Sequence, residues 1–412
     1  MTNGLLDLPP STQAVLDGLS AFAAVEVIAR QDAAADLLEK PMTKYEVSGH
    51  YSEAVLRLRR EVRMASAREG YYQMCVPERL GGGGEGGLTW FAAWEHLFRK
   101  LGHRYLLLAH EVISHWATGP SLIYESASDQ VKETILPELL SGKISMCFGM
   151  SEPEAGSDAW AMKTKARKKG GVWTISGSKQ WITNAPYADY CLVFAVTDPE
   201  AARSRSGGVS AFLVPTNAPG FHVDSIIKLF GHAGGNEGII TLEDVKVGDE
   251  ALVGNEGLGM HVGLSGLALG RLYNAAKSVG LARWGLERAV EYARDRSTFG
   301  QPIIEHQAIS FMLADAAQEC LNAHLLGIHA AKLYDAGEDS LVETSMAKVY
   351  GTEMGCRVLD TAIQVHGGMG LTNEVGLAEA WQELRTVRIA DGSAEMLRRI
   401  IGGRIAKSIP SL

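Results

Sequence analysis

The spacing of hydrophobic positions changes twice along the chain. From Ser11 to about residue 145, and again after Gly259, apolar residues recur at helical intervals in Ala- and Leu-rich stretches. Between about residues 146 and 255 the apolar runs are short and are separated by Gly, Pro and Asn turns. The pattern therefore predicts a helical region, a β region and a second helical region.

Individual elements follow from these runs. Pro9, Pro10 and Ser11 are typical of a helix start, and the apolar sequence after them continues to Lys40. Further helices are expected near 52–69, 88–102, 104–127, 128–141, 260–295, 304–335, 338–365, 372–387 and 394–408. Strands are expected at 172–175, 191–196, 209–214 and 239–242.

The order of these elements favours three domains in a mainly α fold with a β middle domain. Because the strands follow one another without long intervening helices, they indicate an antiparallel sheet or barrel rather than βαβ units. The long helices near the C-terminus favour an antiparallel bundle. We therefore expect an N-terminal helical domain over 1–145, a β domain over 146–258 and a helical bundle domain over 259–412.

Composition narrows the class of protein. The 412 residues are 46% hydrophobic and 21% charged, which excludes a disordered chain and a disulfide scaffold. A net charge of −9 argues against a nucleic-acid partner. We expect the apolar runs to be shorter than the ~18 residues that a membrane helix needs. The N-terminus shows no pattern of a secretory signal, so no membrane association is expected. Five widely spaced cysteines fit a reducing cytoplasm and indicate no metal site.

Two segments of the β region are candidates for ligand binding. Residues 148–158 place small side chains, hydroxyls and backbone amides around an acidic turn, which can hold a phosphate or a heteroaromatic edge, or can be an ordinary loop. Trp181 and Thr183 lie two apart on a strand and so point to one face. They offer a ring and a hydroxyl to one ligand, or are a core aromatic and a surface residue.

Three segments of the C-terminal region allow similar alternatives. Arg296 follows a helix whose C-terminus favours a cation in any case. The glycines after Gln364 permit close approach to a ligand, or a helix cap and turn. Asp391 and Ser393 precede the final helix and can be no more than its N-cap.

Three other patterns do not indicate a site. The glycine run at 81–87 lacks a following Lys-Ser/Thr and is expected to be a flexible connection. The glycines at 257–263 have the wrong spacing for a dinucleotide fingerprint. His110 and His115 are five residues apart, so they would not share a helix face as metal ligands do.

The candidate motifs, in this order, resemble those of the acyl-CoA dehydrogenase family of flavoproteins, over essentially the whole chain. Residues 148–158 resemble the family's first signature, and Trp181-Ile182-Thr183 resembles its strand beside the flavin. Residues 296–300 and 364–370 resemble its FAD sites at the dimer interface. The resemblance implies FAD as cofactor and a helical domain, an antiparallel β-barrel domain and a C-terminal four-helix bundle.

The resemblance also implies site residues. Those around the flavin ring would be Phe148, Met150, Ser151, Trp181 and Thr183, with Thr183 near flavin N5. Those near the pyrophosphate or substrate would be Gly156 and Ser157. Those holding the diphosphate and adenosine from a neighbouring subunit would be Arg296, Phe299, Gln307, Gln364, Gly367 and Gly368. Those bracketing the cofactor would be Ser393 and Glu395, and those contacting substrate Ser157, Arg271, Asp391 and Gly392.

One departure from the family concerns the catalytic base. The family's base is usually Glu in a Tyr-Glu-Gly-Thr sequence, where this chain has Ala390, Asp391, Gly392 and Ser393. The other position used by members matches Gly270, which has no carboxylate. The resemblance therefore implies that Asp391 removes the α-proton of an acyl-CoA while a hydride leaves the β-carbon for flavin N5. Ala390 in place of Tyr suggests room for a branched, cyclic or otherwise bulky acyl group.

Other functions stay open at this point. They are a flavin monooxygenase or oxidase on the same fold, an enoyl-CoA reductase, and a catalytically silent flavin-holding scaffold or DNA-associated relative. The acidic balance of the chain counts against the last of these. For a dehydrogenase, the resemblance implies a role in lipid metabolism and fatty acid β-oxidation. It also implies electron-transfer flavoprotein as electron acceptor and a homotetramer built as a dimer of dimers.

Overall fold

A computed structural model describes residues 8–407 of the chain. Its α-helices are α1 (Pro10–Phe22), α2 (Arg30–Ala33), α3 (Ala35–Leu38), α4 (Pro41–Lys44), α5 (Glu53–Arg68), α6 (Gly87–Leu101), α7 (Leu106–Ala109), α8 (Asp129–Thr134), α9 (Leu136–Leu140), α10 (Pro199–Ser204), α11 (Gly259–Ser265), α12 (Leu267–Asp295), α13 (Gln307–Asp335), α14 (Leu341–His366), α15 (Leu377–Val387) and α16 (Ala394–Ile405). Its strands are β1 (Met146–Gly149), β2 (Lys165–Lys169), β3 (Val172–Thr183), β4 (Tyr190–Val196), β5 (Val209–Pro215), β6 (Phe221–Ile227), β7 (Glu237–Gly248), β8 (Leu252–Val253), β9 (Ser297–Thr298) and β10 (Gln301–Pro302).

The chain divides into two compact units. The helical unit contains the residues up to Ile28, Glu85–Ala109 and the residues from Ala268 onward. The sheet unit contains Ala29–Gly84 and His110–Leu267. The expected order of a helical, a β and a helical region is confirmed, whereas the exact domain limits stay a prediction.

In the helical unit, α13 lies along α14, and α14 also packs against α15 and α16. Small residues let helices approach closely: a Cβ added to Gly280 of α12 would lie 2.6 Å from the carbonyl oxygen of Glu95 in α6. The carboxylate of Asp335, at the end of α13, accepts hydrogen bonds from the N–H groups of Gly87 (2.5 Å) and Leu88 (2.9 Å). These bonds cap α6.

In the sheet unit, β1 to β8 form one sheet in the order β6-β7-β3-β2-β4-β5-β8, with β1 beside β4. Most pairs are antiparallel, but β1 and β2 both pair with β4 in parallel, and Cys147 of β1 lies opposite Cys191. Alternate residues of β4 enter two different hydrophobic clusters: Leu192 and Phe194 enter one, Cys191 and Val193 the other. Both faces of β4 are therefore buried.

Several predicted helix limits are wrong. The helix expected near 104–127 is absent; α7 ends at Ala109, and turns follow until a 3₁₀ segment at Leu122–Ser126. Pro120 has no N–H to continue a helix. The helix expected at 128–141 is broken at Ile135, shortly before Pro137. The helix that starts at Pro10 continues through a π-helical segment, Ala23–Ala29, to Ala33, and α3 ends at Leu38, close to the expected limit at Lys40. The start at Pro10 and the four predicted strand regions are present in the structure.

The segment Pro10–Ala33 is long and apolar enough, by length and composition, to cross a membrane, which corrects the expectation of shorter apolar runs. In the helical unit its larger apolar residues Leu16, Leu19 and Phe22 are buried, and α1 packs against α6. Core helices of folded proteins have the same composition.

Candidate functional site

A buried ion pair lies beneath the first signature in the sheet unit. The Glu152 carboxylate accepts bonds from the Lys179 ammonium (2.8 Å) and from the N–H groups of Lys163 (2.5 Å) and Thr164 (3.0 Å). The Lys179 side chain is fully buried and that of Glu152 nearly so. Burial acts to raise the pKa of Glu152, but the ammonium and the N–H donors outweigh it and lower that pKa.

This pair also holds the backbone of the signature. Besides Glu152, the Lys179 ammonium donates to the carbonyl oxygen of Met150 (3.2 Å). The N–H of Gln180 donates to the carbonyl oxygen of Ser151 (3.0 Å), which ties the signature to β3. Met150 and Ser151 are half-buried. The segment is therefore a fixed element rather than a loose loop.

The two ends of the signature differ. Phe148 is half-buried between aromatic rings, 4.9 Å from Trp116 and 4.8 Å from Phe194. Gly156 and Ser157 are exposed and leave polar groups available at the surface.

Trp181 and Thr183 are both exposed, on either side of the buried Ile182. Trp181 is 54% exposed, so the alternative that it is a core aromatic does not hold. It has φ +64°, and the pairing of β3 with β7 shifts register between Lys179 and Ile182. A bulky residue in the left-handed region at a β-bulge marks a place where a side chain is re-aimed, often at a functional site.

In the helical unit, Asp391 lies in the turn between α15 and α16. It has φ +53°, and Gly392 after it has φ +89°. The side-chain amide of Asn274 on α12 donates to an Asp391 carboxylate oxygen (2.8 Å) and to the carbonyl oxygen of Gly270 (3.0 Å). Because Asn274 is almost fully buried and both its amide hydrogens are engaged, it orients the carboxylate.

Two cations flank this carboxylate. Arg271 is 5% exposed, and its Nε has no hydrogen-bond partner within residues 8–407. Burial lowers the pKa of Arg271, and Asp391 opposes that shift. The buried ammonium of Lys348 on α14 donates to the carbonyl oxygens of Ala390 and Gly392, and burial lowers the pKa of Lys348 to about 8. A buried guanidinium nitrogen without a hydrogen bond is costly, which fits a ligand at this place.

The strands β9 and β10 form a small hairpin after α12. Its two turn residues, Phe299 (φ +53°) and Gly300 (φ +84°), are both left-handed, as a type I′ hairpin turn requires. The side chain of Phe299 is 98% exposed, and Arg296 and Gln307 are also exposed. An apolar ring held at a strained, open position suits a surface that is covered in an assembly.

Gln364, Gly367 and Gly368 lie exposed at the end of α14. Gly367 has φ +59°, and no atom lies within 4 Å of a Cβ added to either glycine. The rings of Tyr292 on α12 and His366 stack with centroids 4.5 Å apart. This stacking places the hairpin and the glycines at the same end of the bundle.

Ser393 and Glu395 start α16. The hydroxyl of Ser393 accepts a hydrogen bond from the N–H of Met396 (3.4 Å). Ser393 is therefore the N-cap of the helix, which is one of the two alternatives that the sequence allowed. Glu395 is exposed in the first turn.

The predicted residues thus fall into separate groups. Phe148, Met150, Ser151, Trp181 and Thr183 lie on the sheet unit, where β1 and β3 are in contact. Asp391 and Arg271 lie together in the helical unit. Asn274 and Lys348, which sequence reasoning missed, join that second group; no motif in the sequence marks them, because both helices carry many other polar residues.

Family models match nearly the whole chain. Those for the acyl-CoA dehydrogenase N-terminal, middle and C-terminal domains match residues 16–143, 147–245 and 257–406. The fold and these matches define a flavoprotein-type oxidoreductase architecture of helices, sheet and helices. The chain belongs to the acyl-CoA dehydrogenase family and is an oxidoreductase of that family.

Curated relatives agree with this assignment. A probable acyl-CoA dehydrogenase, YngJ, of Bacillus subtilis is 36% identical over 80% of this chain and 86% of its own length. The human mitochondrial short-chain specific acyl-CoA dehydrogenase is 34% identical over 83% of this chain and 81% of its own. The CarC subunit of the caffeyl-CoA reductase-Etf complex of Acetobacterium woodii is 31% identical over 93% of this chain and 97% of its own length.

Solved structures share the fold. Butyryl-CoA dehydrogenase of Megasphaera elsdenii has a TM-score of 0.82 at 28% identity, covering 97% of this chain and 99% of that one. PigA with FAD and proline has a TM-score of 0.83 at 25% identity, covering 97% and 99%.

Proposed function

We propose that this chain catalyses the FAD-dependent α,β-dehydrogenation of an acyl-CoA thioester, with Asp391 as the base that removes the α-proton. The observation that carries the proposal is the Asp391 carboxylate held by Asn274 at 2.8 Å. The buried, unpartnered Nε of Arg271 lies in the same cluster. A general base needs a fixed direction, and the hydrogen bond from Asn274 supplies it.

FAD is the cofactor that the family assignment and the flavin-containing neighbour support. The residues present fit it: Trp181 offers an open aromatic face, and the Met150–Ser151 backbone is anchored. Phe148, Met150, Ser151, Trp181 and Thr183 would hold the flavin ring, and the exposed residues near Phe299 and Gly367 would hold the adenosine half from a second subunit. FAD bound there would supply the acceptor for the β-hydride.

The thioester oxygen needs a hydrogen-bond donor as enolate charge develops. Within the described chain, the N–H of Asp391 donates to no protein acceptor, since the bonds of this turn are made by neighbouring groups. We assign that N–H to the thioester oxygen. Asp391 would then take the α-proton with its side chain and bind the thioester carbonyl with its backbone N–H. One residue would thus orient the substrate and remove its proton.

An anaerobic titration of the yellow holoenzyme with straight, branched and cyclic acyl-CoAs tests the proposal. We expect at least one thioester to bleach the oxidised flavin band. The isosteric variant Asp391→Asn should bind FAD and the thioester but bleach at least about 1,000-fold more slowly. A wild-type protein that no thioester bleaches would refute the dehydrogenase function, and full activity in Asp391→Asn would refute the base.

A bulky acyl group is the substrate class we favour. Ala390 is exposed, and it replaces the aromatic ring of the family's usual sequence beside the base. We expect branched or cyclic acyl-CoAs to react faster than unbranched medium chains. The variant Ala390→Tyr is expected to reverse that order without loss of FAD. A wild-type preference for unbranched chains would contradict the idea.

An enoyl-CoA reductase is the second candidate, and the likeness to the caffeyl-CoA reductase subunit favours it. The same residues would act in reverse, with Asp391 returning a proton to the α-carbon. Oxidation of the reduced enzyme by enoyl-CoAs faster than its reduction by acyl-CoAs would select this direction.

We further propose electron-transfer flavoprotein as the redox partner, which the likeness to the CarC subunit of the caffeyl-CoA reductase-Etf complex supports. A homotetramer is also proposed, because large apolar side chains such as Phe299 (98%), Phe311 (58%) and Leu371 (71%) are exposed in the single chain. Light scattering tests the assembly. Five free cysteines agree with our placement in a reducing cytoplasm, where the chain would serve fatty acid oxidation.

A further inference from the structure

The turn that carries Asp391 holds two consecutive left-handed residues, Asp391 at φ +53° and Gly392 at φ +89°. Glycine adopts this conformation freely, whereas aspartate does so only where its surroundings hold it. The backbone bonds of the turn lie outside this dipeptide: Ala390 N–H donates to Thr386 (3.1 Å), and Ala394 N–H donates to Arg388 (3.1 Å). Another group must therefore hold the dipeptide.

Lys348 is that group. Its side chain is 1% exposed, and its ammonium donates to the carbonyl oxygens of Ala390 and Gly392, which lie on either side of Asp391. In the described part of the chain, no carboxylate lies within ion-pair distance of this ammonium. Burying a charge is costly, so a lysine here is explained by what its two bonds do rather than by a salt bridge.

Resting on the proposed function, we propose that Lys348 is a positioning residue, which clamps the two carbonyls around Asp391 and so aims the carboxylate that removes the α-proton. Asn274 fixes the side-chain end of Asp391, and Lys348 fixes its backbone end. Neither touches the reacting carbon. Together the two residues fix the position of Asp391 at its side chain and at its backbone.

The charges around the base agree with this role. Asp391 faces Arg271 and Tyr273 from α12 and Lys348 from α14. A neutral donor in place of Lys348 would hold the turn less firmly, because hydrogen bonds from a charged donor are the stronger ones.

The test uses the FAD-loaded enzyme with the isosteric variant Lys348→Met. The matched control is Lys277→Met, which removes another buried lysine of the helical unit, one that pairs with Glu383 rather than with the turn. Amide exchange is measured by mass spectrometry over residues 386–397. We expect exchange there to rise about 10-fold or more in Lys348→Met and to change less than about 2-fold in the control.

Kinetics provides the second readout. We expect kcat for the best thioester to fall about 100-fold in Lys348→Met, while KM and FAD content stay within about 2-fold, since misplacing a base by about 1 Å costs that much. Lys348→Arg keeps a charged donor and is expected to recover part of both effects. This variant also serves as the test if Lys348→Met does not fold.

Unchanged exchange in both Lys348 variants would overturn the proposal. So would faster exchange with an unchanged kcat, because the clamp would then not matter for the base. If wild-type enzyme reacts with no thioester, the proposed function fails on that result alone, and the exchange measurement still decides whether Lys348 holds the turn.

Discussion

Breaking the buried pair between Glu152 and Lys179 is expected to destabilise the sheet unit. Removing one partner of a buried ion pair costs about 3–5 kcal/mol, because the other charge stays buried. In Lys179→Met the Glu152 carboxylate keeps two N–H donors, which puts the cost near the lower end, about 3 kcal/mol. For a unit of this size, that lowers Tm by roughly 6–12 °C.

The contribution of Glu152 to folding stability depends on pH with a defined sign. The pKa of Glu152 is lowered in the folded protein, so the folded state binds fewer protons than the unfolded state near the ordinary value of 4.5. The stabilisation is therefore fully present above pH 4.5 and is lost as the pH falls through the lowered value. In Glu152→Gln this part of the acid sensitivity should be absent.

Thermal unfolding of wild type, Glu152→Gln, Lys179→Met and the double variant forms the assay. The double variant should cost at least about 1 kcal/mol less than the sum of the single variants, because neither charge is then left alone. FAD retention should fall in Lys179→Met, since the Met150 carbonyl loses its donor. Additive losses, or singles within about 0.5 kcal/mol of wild type, would refute the reasoning.

Three further outcomes are expected. Asn274→Leu should lower kcat about 10- to 100-fold with KM little changed, because the Asp391 carboxylate loses its orienting donor; an unchanged kcat in stopped-flow flavin reduction would contradict this. Gly280→Ala should cost about 1–3 kcal/mol in chemical denaturation, because its Cβ would lie 2.6 Å from the Glu95 carbonyl oxygen. Phe299→Gly should relieve strain in the single chain yet weaken assembly and FAD retention, both read by light scattering and flavin absorbance.

Periodicity predicted the elements whose apolar residues form a continuous helical stripe or a continuous run in a strand. The helix expected at 52–69 is α5 (Glu53–Arg68), and the strand expected at 191–196 lies within β4 (Tyr190–Val196). It failed over 104–127, where apolar residues are buried by turns rather than by a helix: Val112 and Ile113 are fully buried outside any helix. Burial alone does not fix backbone conformation, so an apolar run without caps is ambiguous.

The site was predicted less completely than the fold. The alternation on β3 predicted a shared face for Trp181 and Thr183, which are both exposed, but it did not predict the bulge at which Trp181 has φ +64°. A bulge depends on the register of the partner strand, which lies far away in sequence. Asn274 and Lys348 were missed for the same reason. Each binds the turn around Asp391, which lies more than forty residues further along the chain.

The proposal that Asp391 is the base, at a position where the resemblance places a glutamate, has a physical argument behind it. The shorter side chain has one fewer rotatable bond, so its carboxylate follows the backbone more closely. A left-handed backbone, clamped at the carbonyls on both sides of Asp391, therefore determines where the carboxylate lies. The single donor from Asn274 then suffices to set its rotation. On this argument Asp391→Glu alone would be misaimed, and its activity would return only with a substrate or a second substitution that accommodates one more methylene.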